Sequence, residues 1–301
     1  MNFKLEAKNV LFLAAFAIVA YALIKVLDAE RHLGEMNWIF AIGAVILYFA
    51  SILLWNFAWG IMAKMDLKQS IKAALYSQVG TVTPFAVGAD YLRGRFAKGG
   101  KGKFTDGLAS SFAAKFYKIL ISLAFSVVAV GVILSKYEHL RYSIILSLAI
   151  PAGLLFALYF FTKNYAAKLL AKISMKRVSE KDAKEFSKSL GEMVGKPKIE
   201  VLSLLTFSLA LEFLAFLLSF FAFGINLANF EGYLIFVILF YSSKINLIPQ
   251  GIGITEIAGI IVLRDTAALS LVAAALLLWG IVRIWAPLLI SGTYILITRK
   301  N

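Results

Sequence analysis

The stretch Trp38–Ala63, WIFAIGAVILYFASILLWNFAWGIMA, contains no charged residue. An α-helix needs about 20 apolar residues to cross the hydrocarbon core of a bilayer, so this stretch predicts a transmembrane helix. Similar apolar stretches recur along the chain, and Arg283 and Pro287 interrupt the last of them. We therefore predict about six transmembrane helices, the last one either kinked or split in two. The other five stretches are Val10–Leu27, Leu108–Leu134, Tyr142–Thr162, Val201–Gly224 and Ala267–Thr298.

The composition agrees with a membrane protein. Of the 301 residues, 61% are hydrophobic and 16% are charged, whereas a soluble domain has about 25% charged residues. Lipid must therefore solvate much of this apolar surface. The chain has no cysteine, which excludes disulfides and thiolate metal sites. No small-x-small cleavage site follows the N-terminal apolar run, so we interpret that run as a transmembrane helix and not as a signal peptide.

The net charge of +14 lies mainly between the apolar runs. This pattern favours contact with anionic lipid headgroups, and we expect no nucleic-acid partner. Because basic loops stay on the cytoplasmic side, we place loop 163–199 and both termini in the cytoplasm and the protein in the cell membrane. Phe186, Leu190, Met193 and Val194 follow a helical spacing in that loop, which predicts either an amphipathic helix on the membrane surface or a solvated charged loop.

Two further apolar segments, 73–96 and 233–263, are broken by glycine and proline. Basic residues flank the first segment on both sides, so both of its ends should be cytoplasmic. Short broken segments at membrane depth are typical of re-entrant hairpins or discontinuous helices. The predicted fold is a single all-α polytopic domain over residues 1–301, with two such hairpins. The first half is 1–162, the basic loop is 163–199 and the second half is 200–301.

The two broken segments share a spacing. Pro84 is followed by Gly88 and then by Asp90, and Pro249 is followed by Gly253 and then by Glu256. Gly251 adds a further break to the second segment. In the predicted topology the hairpins enter from opposite sides, which is the arrangement of an inverted repeat.

Charged residues at membrane depth are candidates for function, because hydrocarbon makes them costly. Each has a structural alternative. Glu212 could form an interhelical hydrogen bond, and Glu256 could cap a helix. Arg283 either pairs with Glu256 or Glu212 or receives a phosphate, and Lys244 allows the same two interpretations.

Basic residues near the first break form a second group of candidates. Arg93 and Arg95 follow Asp90 at the start of a half-helix and could bind an anion. Alternatively, their only role could be to keep this loop on the cytoplasmic side of the membrane. For Lys115 and Lys118 we predict snorkelling towards the interface.

Several chemistries are not indicated. The stretch Gly99–Lys103 lacks the spacing of a Walker motif, and no HExxH, CxxC or GxSxG pattern occurs in the chain. We expect no catalytic residue, no metal ion and no cofactor, and therefore not an enzyme.

The motifs of the two broken segments resemble those of the lysylphosphatidylglycerol synthase transmembrane-region family, whose members are flippase-like integral membrane proteins. Pro84, Gly88, Asp90 and Arg93 resemble the first motif of that family. The second motif resembles Pro249-Gln-Gly251-Ile-Gly253-Ile-Thr-Glu256, with Gln250 in place of a glycine. Arg283 and Pro287 are similar to the Arg that precedes a proline-containing final helix.

The resemblance implies movement of a phospholipid or a lipid-linked group between leaflets. Its partners would be membrane lipids with phosphate headgroups, and a homo-oligomer is possible as well. The residues expected to contact the headgroup are Asp90, Arg93, Arg95, Glu212, Lys244, Glu256 and Arg283. No soluble aminoacyl-transferase segment follows, so we expect no synthase activity. The alternatives are a small-solute or ion-coupled transporter, a membrane-embedded enzyme that acts on a lipid headgroup, and a structural subunit.

Overall fold

A computed structural model of the protein describes residues 30–81, 87–99, 103–133, 141–160, 180–243, 254–264 and 266–298. Within these ranges the chain is helical and has no strand, which confirms the all-α fold. The predicted first span Val10–Leu27 and the breaks at Pro84, Pro249, Gly251 and Gly253 lie outside the described residues. The helices are α1 Glu30–Leu33, α2 Trp38–Met62, α3 Leu67–Gly80, α4 Val87–Gly99, α5 Phe104–Ile133, α6 Arg141–Phe160, α7 Glu180–Gly195, α8 Ile199–Phe221, α9 Phe230–Ser242, α10 Ile254–Leu263, α11 Leu269–Gly280 and α12 Ala286–Thr298.

The long helices match the predicted spans closely. Four described helical stretches are long and apolar enough to cross a membrane: α2, α5, α8 and the stretch Leu269–Thr298. Shorter apolar helices occupy Ile145–Phe160 and Phe230–Ser242. The protein is therefore a polytopic membrane protein with several candidate spans.

The last predicted span is one continuous helix. A wider π-helical turn, Ile281–Trp285, joins α11 to α12. Pro287 has no N–H to donate to the carbonyl four residues earlier, which belongs to Arg283, so the helix loses one hydrogen bond there and its ring crowds that carbonyl. The π-turn accommodates this defect without breaking the span, and it carries Arg283. Such turns inside α-helices are frequent at functional sites.

Helices α2 and α8 pack against each other extensively and run antiparallel. The N–H of Asn37, before α2, donates to the carbonyl of Ala222, after α8, at 2.9 Å. At the other end of the pair, Ala58 packs in one cluster with Val201. Midway, Ser208 Oγ donates to the Ser51 carbonyl at 3.0 Å. Small residues at such a crossing let two helices approach closely, so α2 and α8 are in close contact at the midpoint of the pair.

The first broken segment contains two short helices packed side by side, α3 and α4. They have 14 and 13 residues, which corresponds to about 20 Å, less than the roughly 30 Å of a hydrocarbon core. In the second segment α9 and α10 also pack together, with 13 and 10 residues. Each helix is thus too short to cross alone, as the prediction of re-entrant hairpins requires. The inverted repeat stays a prediction.

Gly80 allows α3 and α4 to approach. A Cβ atom at this position would lie 2.4 Å from the backbone of Gly88 and Ala89. We expect Gly80→Val to lower the free energy of unfolding by more than the about 1–3 kcal/mol that is typical of overpacking, because backbone atoms cannot move aside. The thermal midpoint of unfolding in detergent should fall accordingly. Gly131→Val is the control, since nothing lies within 4 Å of its Cβ position. Equal midpoints for the two variants would contradict this packing.

Helix α7 is amphipathic, as its spacing predicts. Its apolar face is not free for a membrane surface, however, because Phe186 and Leu190 are buried against Ala109 and Ala113 of α5. The hydroxyl of Tyr117 on α5 also donates to the carbonyls of Met193 and Val194. The predicted surface orientation was therefore wrong: long-range packing against α5 covers the apolar stripe, and the exposed face carries Lys181, Lys184 and Lys188.

Candidate functional site

Three groups of polar side chains lie along one face of α2. Asn56 and Ser51 of this helix each bond to one group, and Tyr48 lies near the third, close enough for its hydroxyl to feel the charge of Arg283. Tyr48 and Asn56 are about 12 Å apart along the helix axis at 1.5 Å per residue. All three side chains are buried. We call this face the polar stripe and describe its three clusters in turn.

The Asp90 cluster comprises Asp90, Arg93, Ser111, Lys115 and Asn56. Asp90 Oδ1 accepts from Ser111 Oγ at 2.7 Å and from Arg93 Nη1 at 3.4 Å, while Oδ2 accepts from Lys115 Nζ. Arg93 Nε donates to Asn56 Oδ1 at 3.2 Å. One carboxylate therefore compensates two cations, which leaves the cluster with a net positive charge.

The close approach of α4 and α5 positions this cluster. A Cβ atom on Gly107 would lie 2.5 Å from Ala97 Cβ and 3.0 Å from Gly94 Cα, so the glycine lets the two helices pack almost backbone to backbone. Asp90 lies on α4, outside the helices long enough to cross. Asp90 lies between two cations, since it pairs with both Lys115 and Arg93, and these pairs compensate its charge in the interior.

Arg93 also contacts an aromatic ring. Its guanidinium carbon lies 4.2 Å from the centroid of a Trp55 ring, a favourable cation–π distance. Asp90 is 4% exposed and Arg93 is 5% exposed. The sequence analysis selected both residues, and the structure brings them together. Arg95, in contrast, is exposed on α4 and lies outside the cluster.

The Glu212 cluster comprises Glu212, Lys118, Ser51 and Ser208. Glu212 Oε1 pairs with Lys118 Nζ at 2.7 Å and accepts from Ser51 Oγ at 3.4 Å. Lys118 Nζ also donates to Ser208 Oγ at 3.0 Å and lies 5.6 Å from the Phe240 ring centroid. Glu212 Oε2 is buried and takes no hydrogen bond from any residue in the described ranges. The carboxylate thus retains a free acceptor in the interior.

This cluster corrects the snorkelling prediction for Lys118. Lys118 is 6% exposed and its side chain points into the bundle, because a buried carboxylate on α8 offers a partner that local sequence does not reveal. Lys115 likewise pairs with Asp90, although it is about one-third exposed. The sequence analysis therefore missed two cations of the site. The spacing itself was a signal, since Lys115 and Lys118 lie on one face of α5.

The Arg283 cluster comprises Arg283, Thr255, Glu256 and Tyr48. Arg283 Nη2 donates to Thr255 Oγ1 at 3.4 Å, and Glu256 and Tyr48 lie close enough to act on its charge. The Glu256 carboxylate borders Gly280, where an added Cβ would be 3.5 Å from Oε1. Glu256 and Arg283 are 5% and 3% exposed. Of the two pairings considered for Arg283, this geometry favours Glu256. Lys244 lies outside the described residues.

The same arrangement occurs in both halves of the chain. In each, an acid near the start of the second short helix faces a base on the next long helix: Asp90 faces Lys115, and Glu256 faces Arg283. Among the described residues, no three His, Asp or Glu side chains are grouped so that they could hold a metal ion.

A bundle of apolar helices with charges of both signs buried beside one face of α2 defines a polytopic membrane protein with a polar interior. The chain belongs to the lysylphosphatidylglycerol synthase transmembrane-region family, whose model matches residues 9–291. This membership confirms the resemblance of its motifs. It also places the protein among membrane proteins of lipid headgroup metabolism or transport. No curated protein matches the chain.

Proposed function

We propose that the protein is a lipid flippase or scramblase, which moves a phospholipid or a lipid-linked headgroup between leaflets. The observation that carries the proposal is the polar stripe, in which charges of both signs are buried along a helix long enough to cross the bilayer. The opposite face of α2 is apolar, with Ile39, Ile42 and Ile46 exposed. A headgroup needs a polar route through the hydrocarbon, whereas its chains can stay in lipid.

The charges suit the two parts of a phospholipid headgroup. The guanidinium groups of Arg93 and Arg283 present forked donors that match a phosphate, and exposed Arg95 would meet the phosphate near the entrance. Glu212 and Glu256 would contact an amine or a coupling cation. Asp90 and Lys115 would determine the net charge of the surroundings of Arg93. A headgroup that exchanges partners from cluster to cluster would never be left as an unpaired charge in hydrocarbon.

A small-solute or ion-coupled transporter is the second candidate. The free acceptor of buried Glu212 favours it, since intramembrane carboxylates are typical of proton and cation relays. Uptake of labelled glycerophosphate into proteoliposomes, compared with translocation of labelled phospholipids, separates the two. Lipid translocation without glycerophosphate uptake supports the flippase, and the reverse supports the solute transporter.

Asp90→Asn is expected to slow lipid translocation by about tenfold or more. The substitution leaves Lys115 and Arg93 without their carboxylate. Arg93 would then bind the phosphate of a passing headgroup too tightly and release it slowly. Translocation of fluorescent phosphatidylglycerol in proteoliposomes measures the effect. Glu200→Gln, an exposed acid on the first turn of α8, is the control. Equal rates for Asp90→Asn and wild type would remove the Asp90 cluster from the path.

A further inference from the structure

Helix α7 carries a row of lysines on the face that does not pack against α5. Lys181, Lys184 and Lys188 are exposed, and their spacing of three and four residues places them on one side of the helix. Together with Glu185 they line a surface pocket of about 440 Å³. We call this side of the helix the α7 basic face.

The acids of α7 do not cancel the charge of this face. Glu185 already pairs with Lys103 at 3.7 Å. Between residues 181 and 198, five exposed lysines outnumber three acids, because Lys196 and Lys198 continue the basic segment after the helix. Clusters of about four to eight basic residues directly beside a transmembrane helix are typical of segments that bind anionic lipids.

Contacts with two spans fix α7 at the membrane surface. Ser189 Oγ donates at 2.9 Å to Oδ1 of Asp106 in the first turn of α5. Gly195 ends α7, and Ile199 begins α8 four residues later, at most about 14 Å away. Both α5 and α8 are long and apolar enough to cross a membrane. Since headgroups extend roughly 5–8 Å beyond the hydrocarbon core, the α7 basic face lies at the level of the headgroups.

One aromatic ring separates α7 from the Asp90 cluster. Phe112 of α5 packs edge to face on Phe186 of α7, with ring centroids 5.4 Å apart. Lys115 Nζ lies 5.2 Å from the centroid of the same Phe112 ring, and Lys115 is about one-third exposed. A lipid held by α7 would therefore lie beside the cluster that carries a net positive charge.

We propose that the α7 basic face docks on an anionic phospholipid leaflet and enriches those lipids beside the Asp90 cluster. The partner is a lipid surface because the face is held at headgroup level and its three lysines extend over about 10 Å of helix, so they meet several phosphates at once. Lysines are flexible, strongly hydrated point charges, so the face selects negative charge and not a particular headgroup. The inference requires no translocation and holds for any function of the polar stripe.

The test uses the full chain in liposomes, and the lack of cysteine in the sequence allows a single site to be labelled. Gly195→Cys places a fluorophore at the end of α7. Gly34→Cys places one before α2, at the opposite end of the antiparallel α2–α8 pair, and serves as the control site. No described residue lies within 4 Å of either Cβ position. The quencher is a nitroxide on the upper acyl chain, carried by either phosphatidylglycerol or phosphatidylcholine.

At Gly195→Cys we expect phosphatidylglycerol to quench at about one-fifth of the concentration that phosphatidylcholine needs. This fivefold preference corresponds to about 1 kcal/mol, the attraction of one lysine near an anionic surface. The two lipids should quench equally at Gly34→Cys. At about 1 M salt, where the screening length falls to about 3 Å, the preference should disappear.

Two triple variants remove the same charge from different surfaces. The first replaces the lysines of the α7 basic face, Lys181→Gln/Lys184→Gln/Lys188→Gln, and should abolish the preference, whereas arginine at the same positions should retain it. The matched control replaces three exposed lysines around the start of α3, Lys64→Gln/Lys68→Gln/Lys72→Gln, and should leave the preference unchanged. Equal quenching by the two lipids at Gly195→Cys, or equal effects of the two glutamine variants, would overturn the docking surface.

Discussion

Replacing Lys118 by methionine is expected to destabilise the protein by about 3–5 kcal/mol, because Glu212 would then be a buried charge without its counterion. Lys118 and Glu212 pair at 2.7 Å between α5 and α8. Glu212→Leu should cost a similar amount, since it leaves the ammonium group uncompensated. The midpoint of thermal unfolding in detergent measures both effects. Lys98→Met, at an exposed lysine of α4, is the control for loss of a positive charge.

The double variant Lys118→Met/Glu212→Leu separates structure from function. Removing both charges is often neutral or stabilising in a buried pair, so we expect its midpoint to lie near that of wild type. Lipid translocation should nevertheless fall to the rate of protein-free liposomes, because the middle of the polar stripe would be apolar. A double variant as unstable as the sum of the single variants would mean that the two groups do not interact.

Arg283→Lys is expected to reduce lipid translocation by about ten- to a hundredfold, the loss that corresponds to 1.5–3 kcal/mol for a hydrogen bond with a charged group. Lysine keeps the positive charge beside Glu256, so stability should change little. It cannot reproduce the planar fork that matches a phosphate. Translocation rates in proteoliposomes and unfolding midpoints, measured on the same preparation, give the two effects separately.

Arg264→Lys is the matched control for this substitution, because Arg264 is exposed after α10. A rate for Arg283→Lys equal to wild type would show that the guanidinium only neutralises Glu256. An equal loss of stability and transport would assign Arg283 a structural role.

The sequence predicted the spans well because their signal is local. A helix that crosses lipid must be predominantly apolar over about 20 residues, and the bounds of α2, α5 and α8 follow that pattern. The two short helices of each broken segment agree with the predicted interruptions, although Pro84 and Pro249 themselves lie outside the described residues. The sequence also indicated an irregularity near Pro287, but its π-helical form depends on how the whole helix packs.

The pairing of charges could not be predicted in the same way. Lys118 faces Glu212 across the interface of α5 and α8, and residues that are far apart in sequence carry no local sign of such a contact. Its position three residues after Lys115 indicated a shared helical face but not a partner. Tyr48, Ser51 and Asn56 escaped notice because single polar residues in an apolar helix are common. Their role becomes visible only once the structure shows that Ser51 and Asn56 bond to Glu212 and Arg93.

The most direct measurement is translocation of fluorescent phospholipids in proteoliposomes, read by dithionite quenching and run with and without proton and sodium gradients. Wild-type protein and the double variant Lys118→Met/Glu212→Leu are compared with protein-free liposomes. The account predicts translocation by wild type for at least one headgroup that carries phosphate, and the background rate for the double variant. Background rates for wild type with every headgroup and gradient, or a double variant as fast as wild type, would contradict it.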